Sequence, residues 1–371
     1  MRQIYLAATG QNRGKTTAAL GLLNGFIARG LRTGFLKPVG QRTVIDDGQP
    51  ADEDAVLMRE TFHLPEPYAR MSPVHIPRGF TRSFINGEVV EDLPTRILAA
   101  HRSYLAHDVL LIEGTGHAGV GSVIDLSNAV VARMLNAPAI IISEGGIGRP
   151  IDEIVLNAAL FAAHGVPVAG AIVNKVEQDA RPALTRTIER GLARHGIPLL
   201  GTLPRQPILS NPTLEMILEG VRGDLIHPGP DLDLVIGGVS IGAMEPHHML
   251  QHINPGSLVI VPGDREDVIS AIALAHGAES DGRSAADRKA IGLVMTGGYI
   301  PRQAVLDDVR RANLFAALVP DDTYHVASVV HDLLVKTHAA DREKIEMIKV
   351  LVAEHLDIDK ILSVATEVSA A

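Results

Sequence analysis

Short apolar runs alternate with amphipathic stretches through the first two hundred residues. Residues 4–8, 33–38, 109–113, 139–143 and 168–173 read as strands, and 16–29, 93–105, 128–135 and 151–164 between them read as helices. Apolar strands of this length, separated by helices, predict a parallel sheet covered on both faces. The expected fold class is therefore α/β, a doubly wound sheet whose ligand site lies at the carboxyl ends of its strands.

A second α/β pattern follows a Pro-bearing stretch at 207–212. It reads as a loop at 223–230 and a strand at 232–238. A helix at 245–252, a strand at 257–262, a helix at 264–276, a strand at 290–296 and helices at 301–312 and 323–334 complete it. Residues 277–288, rich in Gly, Ser, Asp and Ala, read as a mobile loop, and 340–355 as a charged helix. The expected domains are 1–205, a smaller one at 212–335, and a helical tail at 336–371. There is no internal repeat and no low-complexity tract.

At 371 residues, two domains are the natural expectation. Aromatic residues make up 3% and Trp is absent, so the cores rest on Leu, Ile, Val and Ala. The absence of Cys excludes disulfides, thiolate metal sites and cysteine nucleophiles, and fits a reducing, cytoplasmic setting. No apolar run is long enough to span a bilayer and no signal peptide is evident, so no membrane partner is expected. A formal net charge of -9 argues against a nucleic-acid partner held by phosphate neutralisation.

The first strand enters the loop Thr9-Gly10-Gln11-Asn12-Arg13-Gly14-Lys15-Thr16-Thr17 and then a helix, the context a phosphate-binding P-loop requires. Glycines let backbone N–H groups turn toward phosphate oxygens, and the helix N-terminus adds its positive end. Lys15 supplies charge for the outer phosphates and the Thr16 hydroxyl is placed for Mg²⁺. The strict motif wants Gly at position 9, and it comes one place later. Three further groups end strands or open a helix. Lys37 either faces the same crevice or sits in a surface turn. Asp54, within Asp52-Glu53-Asp54, is either a Mg²⁺ ligand or part of a helix cap. Glu113, before Gly114-Thr115-Gly116, is placed as a Mg²⁺-binding acid, since a carboxylate after a buried strand needs a counter-charge. Asn174 could pair with a purine edge, and the missing Asp at the right spacing favours adenine over guanine. Arg13 is either solvent-facing or a group that reaches a second subunit's phosphates.

Together these residues resemble the dethiobiotin synthetase-like P-loop family over 1 to about 205. The resemblance implies a phosphate loop at 9–16, a second lysine at Lys37, Mg²⁺ on Asp54 and Glu113, and adenine against Asn174. Gly263-Asp264-Arg265-Glu266-Asp267 and Thr296-Gly297-Gly298 resemble the two signature pieces of a DRTGG domain. There the alternatives are a small anion or nucleotide pocket formed by Asp264, Arg265, Thr296, Gly297 and Gly298, or a helix cap and a tight turn. His247, His248 and His252 carry a weaker hint of a metal. The order of the two domains is similar to the N-terminal regulatory half of long bacterial phosphate acetyltransferases. Their catalytic domain is not found in this sequence, so acetyl transfer is not expected of it.

The expected ligands are ATP and Mg²⁺. One reading is an ATPase, or a ligase that activates a small carboxylate, with Lys15 and Lys37 as the catalytic cations. The other is a nucleotide-sensing module that acts on a separate acyl-transfer enzyme. Without Cys, a self-contained glutaminase route to amidation is excluded. P-loop relatives of this kind commonly dimerise, so a homodimer is expected.

Overall fold

The computed structural model describes residues 1–177, 181–278, 290–333 and 336–368. The chain divides into two compact units, 1–205 together with 337–371, and 206–336.

The first unit is built on a parallel sheet. Its strands lie in the order Leu199–Pro204, Val168–Val176, Ala139–Glu144, Arg2–Ala8, Val109–Glu113, Thr33–Leu36. The chain leaves Arg2–Ala8 for the edge strand Thr33–Leu36, returns to Val109–Glu113, and then crosses to Ala139–Glu144 on the other side. The sheet thus changes direction at its first strand, which places a crevice at the carboxyl ends beside it. Alternate residues of the strands face opposite layers. Tyr5, Ala7, Leu110, Ile112, Ile141 and Val173 join one core with helices Leu93–Arg102, Asn128–Met134 and Arg149–Ala163.

The opposite layer holds helix Lys15–Ile27, and its partner comes from the far end of the chain. Helix Arg342–His355 packs along it, with Val352 against Gly21 and, from helix Ile358–Ser363, Ile358 against Gly25. Arg29 and Asp359 form an ion pair at 2.8 Å. Strand Thr366–Glu367 then pairs antiparallel with Arg2 and Gln3, where Ala139–Glu144 does not yet reach. The segment expected as a separate helical tail therefore completes the first unit. A hairpin, Thr43–Asp46 with Gln49–Asp52, was not expected. Its polar residues carry no strand-like alternation.

The second unit has a five-stranded sheet, Asp224–His227, Phe315–Leu318, Ala290–Thr296, Ser257–Pro262, Gly238–Ile241. Four strands are parallel and Asp224–His227 is antiparallel at one edge. Helices Pro246–His252, Glu266–Ala278 and Gln303–Arg311 cover one face, and Leu214–Val221 and Thr323–Asp332 the other. Two expectations are corrected here. Residues 224–227 were expected in a loop and form the edge strand, where polar residues are common because only one side is paired. Residues 232–236 were expected as strand and instead meet the start of helix Leu214–Val221: Leu234 O accepts from Leu214 N at 3.1 Å and Leu232 O from Glu215 N at 3.0 Å. Residues 279–288 of the expected loop lie outside the described residues. Among the described residues, no helix is long and apolar enough to cross a membrane.

Candidate nucleotide site

The phosphate loop hangs between two strand ends of the first unit. Ala8 N bonds Gly116 O at 3.1 Å and Thr9 N bonds Ile142 O at 2.9 Å. The loop closes on Gly14, whose φ of 94° is left-handed and whose missing Cβ makes room for the Asn174 side chain. Helix Lys15–Ile27 then begins with no side-chain cap and no acidic residue in its first turn. Its orphan N–H groups and positive end thus face the loop without a side-chain competitor.

Five side chains from four segments meet here. Lys15 is 9% exposed, Lys37 3% and Glu113 0%. Lys37 Nζ lies 2.5 Å from Asp54 Oδ2, 3.1 Å from Glu113 Oε1 and 3.4 Å from Gly114 O. Thr16 Oγ1 donates to Asp54 Oδ1 at 3.0 Å and reaches Glu113 Oε1 at 3.3 Å. The surface-turn alternative for Lys37 is therefore wrong. The alternatives for the acidic run are divided between residues. Asp52 caps helix Glu53–Phe62, accepting from Asp54 N at 3.1 Å, and that cap leaves Asp54 to face Lys37 and Thr16.

Burial sets the protonation of this cluster. Desolvation, aided by Asp54 and opposed by Lys37 and Lys15, pushes the Glu113 carboxyl up to about 7. Desolvation and the neighbouring charge of Lys37 pull Lys15 down to about 8. Lys37 goes the other way: its burial is outweighed by Asp54 and Glu113, which hold it charged well above the ordinary lysine range.

Glu113 Oε2 is buried and makes no hydrogen bond. With Thr16 Oγ1 and Asp54 it forms a group of hard oxygen donors, one of them unsatisfied, and this suits Mg²⁺.

Asn174 lies 6% exposed behind the loop. Its Nδ2 donates to Arg13 O at 3.2 Å and its Oδ1 accepts from Lys175 N at 2.9 Å. The amide expected to read a base thus makes one bond from each of its two polar atoms to the protein's own backbone, which leaves one N–H and one lone pair. Lys175, at a left-handed φ of 56°, donates to Asn12 O at 2.9 Å and pairs with Glu144 at 2.8 Å. Arg13 pairs with Glu144 as well and stands 3.9 Å from Glu153, so it is engaged within its own unit rather than solvent-facing. Gly10, Gln11 and Asn12 form the outer loop, with Gln11 and Asn12 exposed, and Thr17 lies in the helix's first turn.

Two residues of this region have no signal in the sequence. Asn128 Oδ1 accepts from Tyr5 Oη and Thr115 N, and its Nδ2 donates to Thr115 O and His117 O. Asn157 Oδ1 accepts from Ala118 N. Together they shape the turn that follows Glu113. Each is a single Asn on a helix, and only the fold reveals its partner.

In the second unit the two signature pieces are adjacent: Gly263 N bonds Thr296 O at 2.9 Å. Arg265 pairs with Asp267 at 3.0 Å and bonds the carbonyls of Ala243 and Met244, while Asp264 is exposed. Thr296 Oγ1 meets Thr323 Oγ1 at 2.7 Å. The amides of Gly297 and Gly298 bond Asp321 O and Val319 O. These groups hold the turns together. Of the three histidines, His247 and His248 gather with Glu245 on the surface, and His252 is not in that group.

Residues 2–213 match the model of an AAA domain family. The chain belongs to that family. Residues 216–333 match the DRTGG domain. A phosphate acetyltransferase of Pseudomonas putida is 28% identical over 96% of this chain and 51% of its own length. Another from Synechocystis is 25% identical over 92% and 51%. The chain spans about half the length of the curated relatives it matches. Among solved structures, the MinD cell division protein of Aquifex aeolicus is similar over 56% of this chain and 84% of its own, at 13% identity and a TM-score of 0.36. The CBS and DRTGG regulatory region of a Clostridium perfringens pyrophosphatase is similar over 40% and 64%, at 19% identity and a TM-score of 0.29. Family membership and the DRTGG match support nucleotide binding.

Proposed function

We propose that the first unit binds Mg²⁺-ATP, with the terminal phosphate between Lys15 and Lys37, and turns it over as an ATPase or by phosphorylating a small carboxylate. The observation that carries this reading is the convergence of Lys15, Thr16, Lys37, Asp54 and Glu113 from four segments. Thr16, Asp54 and Glu113 would hold Mg²⁺, which supplies charge neutralisation to the phosphates. The chain's own contribution is positioning and electrostatics. The loop amides and helix end orient the phosphates, and Lys15 and Lys37 meet charge that grows on the transferred group. Asn174 acts by holding the loop.

A second reading, a nucleotide-sensing module for a separate acyl-transfer enzyme, is favoured by the phosphate acetyltransferases that the chain matches along half their length. The DRTGG unit would then receive the nucleotide state or bind a small anion of its own.

Calorimetric titration with Mg²⁺-ATP, paired with phosphate release on the same sample, tests both. Binding with release that rises on adding carboxylic acids supports the ligase; binding with steady release supports the ATPase. Binding without release leaves the sensor. No binding overturns all three.

A further inference from the structure

The ammonium of Lys37 and the proposed Mg²⁺ need the same oxygens. Lys37 Nζ is within 3.4 Å of Asp54 Oδ2, Glu113 Oε1 and Gly114 O. Such a set of oxygens serves an ammonium or a divalent cation alike. Glu113 Oε1 is already shared between Lys37 and Thr16 Oγ1. A divalent ion drawn to these carboxylates while Lys37 stays would face a buried positive charge at contact range. Lys37 cannot withdraw unaided, because a buried ammonium that leaves its carboxylates requires another anion. A nucleotide's terminal phosphate is such an anion, and Lys15, buried like Lys37, belongs to the same charge cluster with Asp54 and Glu113.

We propose that Lys37 is a resident placeholder cation: it occupies the metal-binding carboxylates when nucleotide is absent and is transferred to the terminal phosphate when nucleotide arrives. Metal and nucleotide therefore enter together, and metal alone is refused. The proposal rests on the Mg²⁺-ATP reading of this site and adds to it an order of binding.

The probe is Mn²⁺, with free ion read by its electron paramagnetic resonance signal, titrated into the full chain without nucleotide. Lys37→Met should bind Mn²⁺ at least about tenfold more tightly than wild type, since a unit charge is removed from the contact. Lys37→Gln, which keeps a polar donor in the pocket, should do the same, and Lys37→Arg should stay near wild type. Unchanged or weaker Mn²⁺ binding by both neutral variants overturns the placeholder role. The unaltered protein supplies a parallel test that needs no variant to fold. Mn²⁺ alone should leave its Tm in place at concentrations where Mn²⁺ with a non-hydrolysable ATP analogue raises it. A rise with Mn²⁺ alone overturns the proposal. If the analogue binds wild type normally and the Mn²⁺ results fail, only the placeholder falls. If the analogue does not bind at all, the Mg²⁺-ATP reading falls with it.

Discussion

Gly21 lies so close to Val352 that a Cβ on the glycine would overlap the valine side chain. One residue is in the helix that follows the phosphate loop, and the other is 331 positions later in sequence. Gly21→Ala should therefore destabilise the protein by about 1–3 kcal/mol, although alanine is the better helix former. Val352→Ala added to it should restore part of the loss, because the two sites share one contact. Urea unfolding of the two single variants and the double variant checks both; simple additivity would refute the contact.

Glu113 makes stability and metal binding pull in opposite directions. Its carboxyl is raised to about 7 against an ordinary 4.5, so the folded protein binds more protons than the unfolded chain between those values. The stabilisation from its proton is fully present below pH 4.5 and is lost as pH rises through about 7. Glu113→Gln should thus be more stable than wild type at pH 8, by on the order of 1–3 kcal/mol, and should lose that advantage toward pH 4.5. The same variant should keep nucleotide affinity while losing Mg²⁺ dependence. Thermal scans across pH in chelator, followed by titration with and without Mg²⁺, would contradict this if wild type were the more stable protein at pH 8.

Lys15 is held at about 8 against an ordinary 10.5, chiefly by burial. Above pH 8 the folded protein releases this proton while the unfolded chain keeps it, so the residue's penalty on stability is relieved as pH rises from about 8 to 10.5. Phosphate binding favours the charged lysine. ATP affinity should therefore fall as pH rises through 8, and binding above pH 8 should take up protons. Calorimetry in buffers of differing ionisation enthalpy reads that uptake directly. Lys15→Met should lose ATP binding at every pH, and retained affinity would remove the lysine from the site.

Asn174 distinguishes a base reader from a loop brace. Its contacts with Arg13 O and Lys175 N predict that Asn174→Ala weakens inorganic triphosphate and ATP alike, by roughly tenfold for about 1 kcal/mol or slightly more of lost hydrogen bonding. Competition by the two ligands against a fluorescent nucleotide measures this. Loss for ATP alone would return the residue to the base.

Much of the first unit is legible because buried parallel strands must be apolar and their carboxyl ends carry the exceptions. Lys37 and Glu113 are recognisable as charges that end runs such as Val109-Leu110-Leu111-Ile112, where charge needs a partner. What sequence cannot supply is partnership at long range. Nothing in the sequence pairs Gly21 and Gly25 with Val352 and Ile358, which pack on them. Asn174 has the right type and position for a purine edge, yet its rotamer is settled by Arg13 and Lys175. Asp224–His227 is too polar to announce itself as a strand and is defined by Phe315–Leu318 beside it.

The pairing of Thr366–Glu367 with Arg2 and Gln3 imposes an order on biosynthesis. Strand Arg2–Ala8 waits for a partner made only after the whole of 206–336 has emerged and become free to fold. The unit with the phosphate loop is thus begun before 206–336 and finished after it. A chain arrested before residue 337 would present helix Lys15–Ile27 with its glycine seam uncovered.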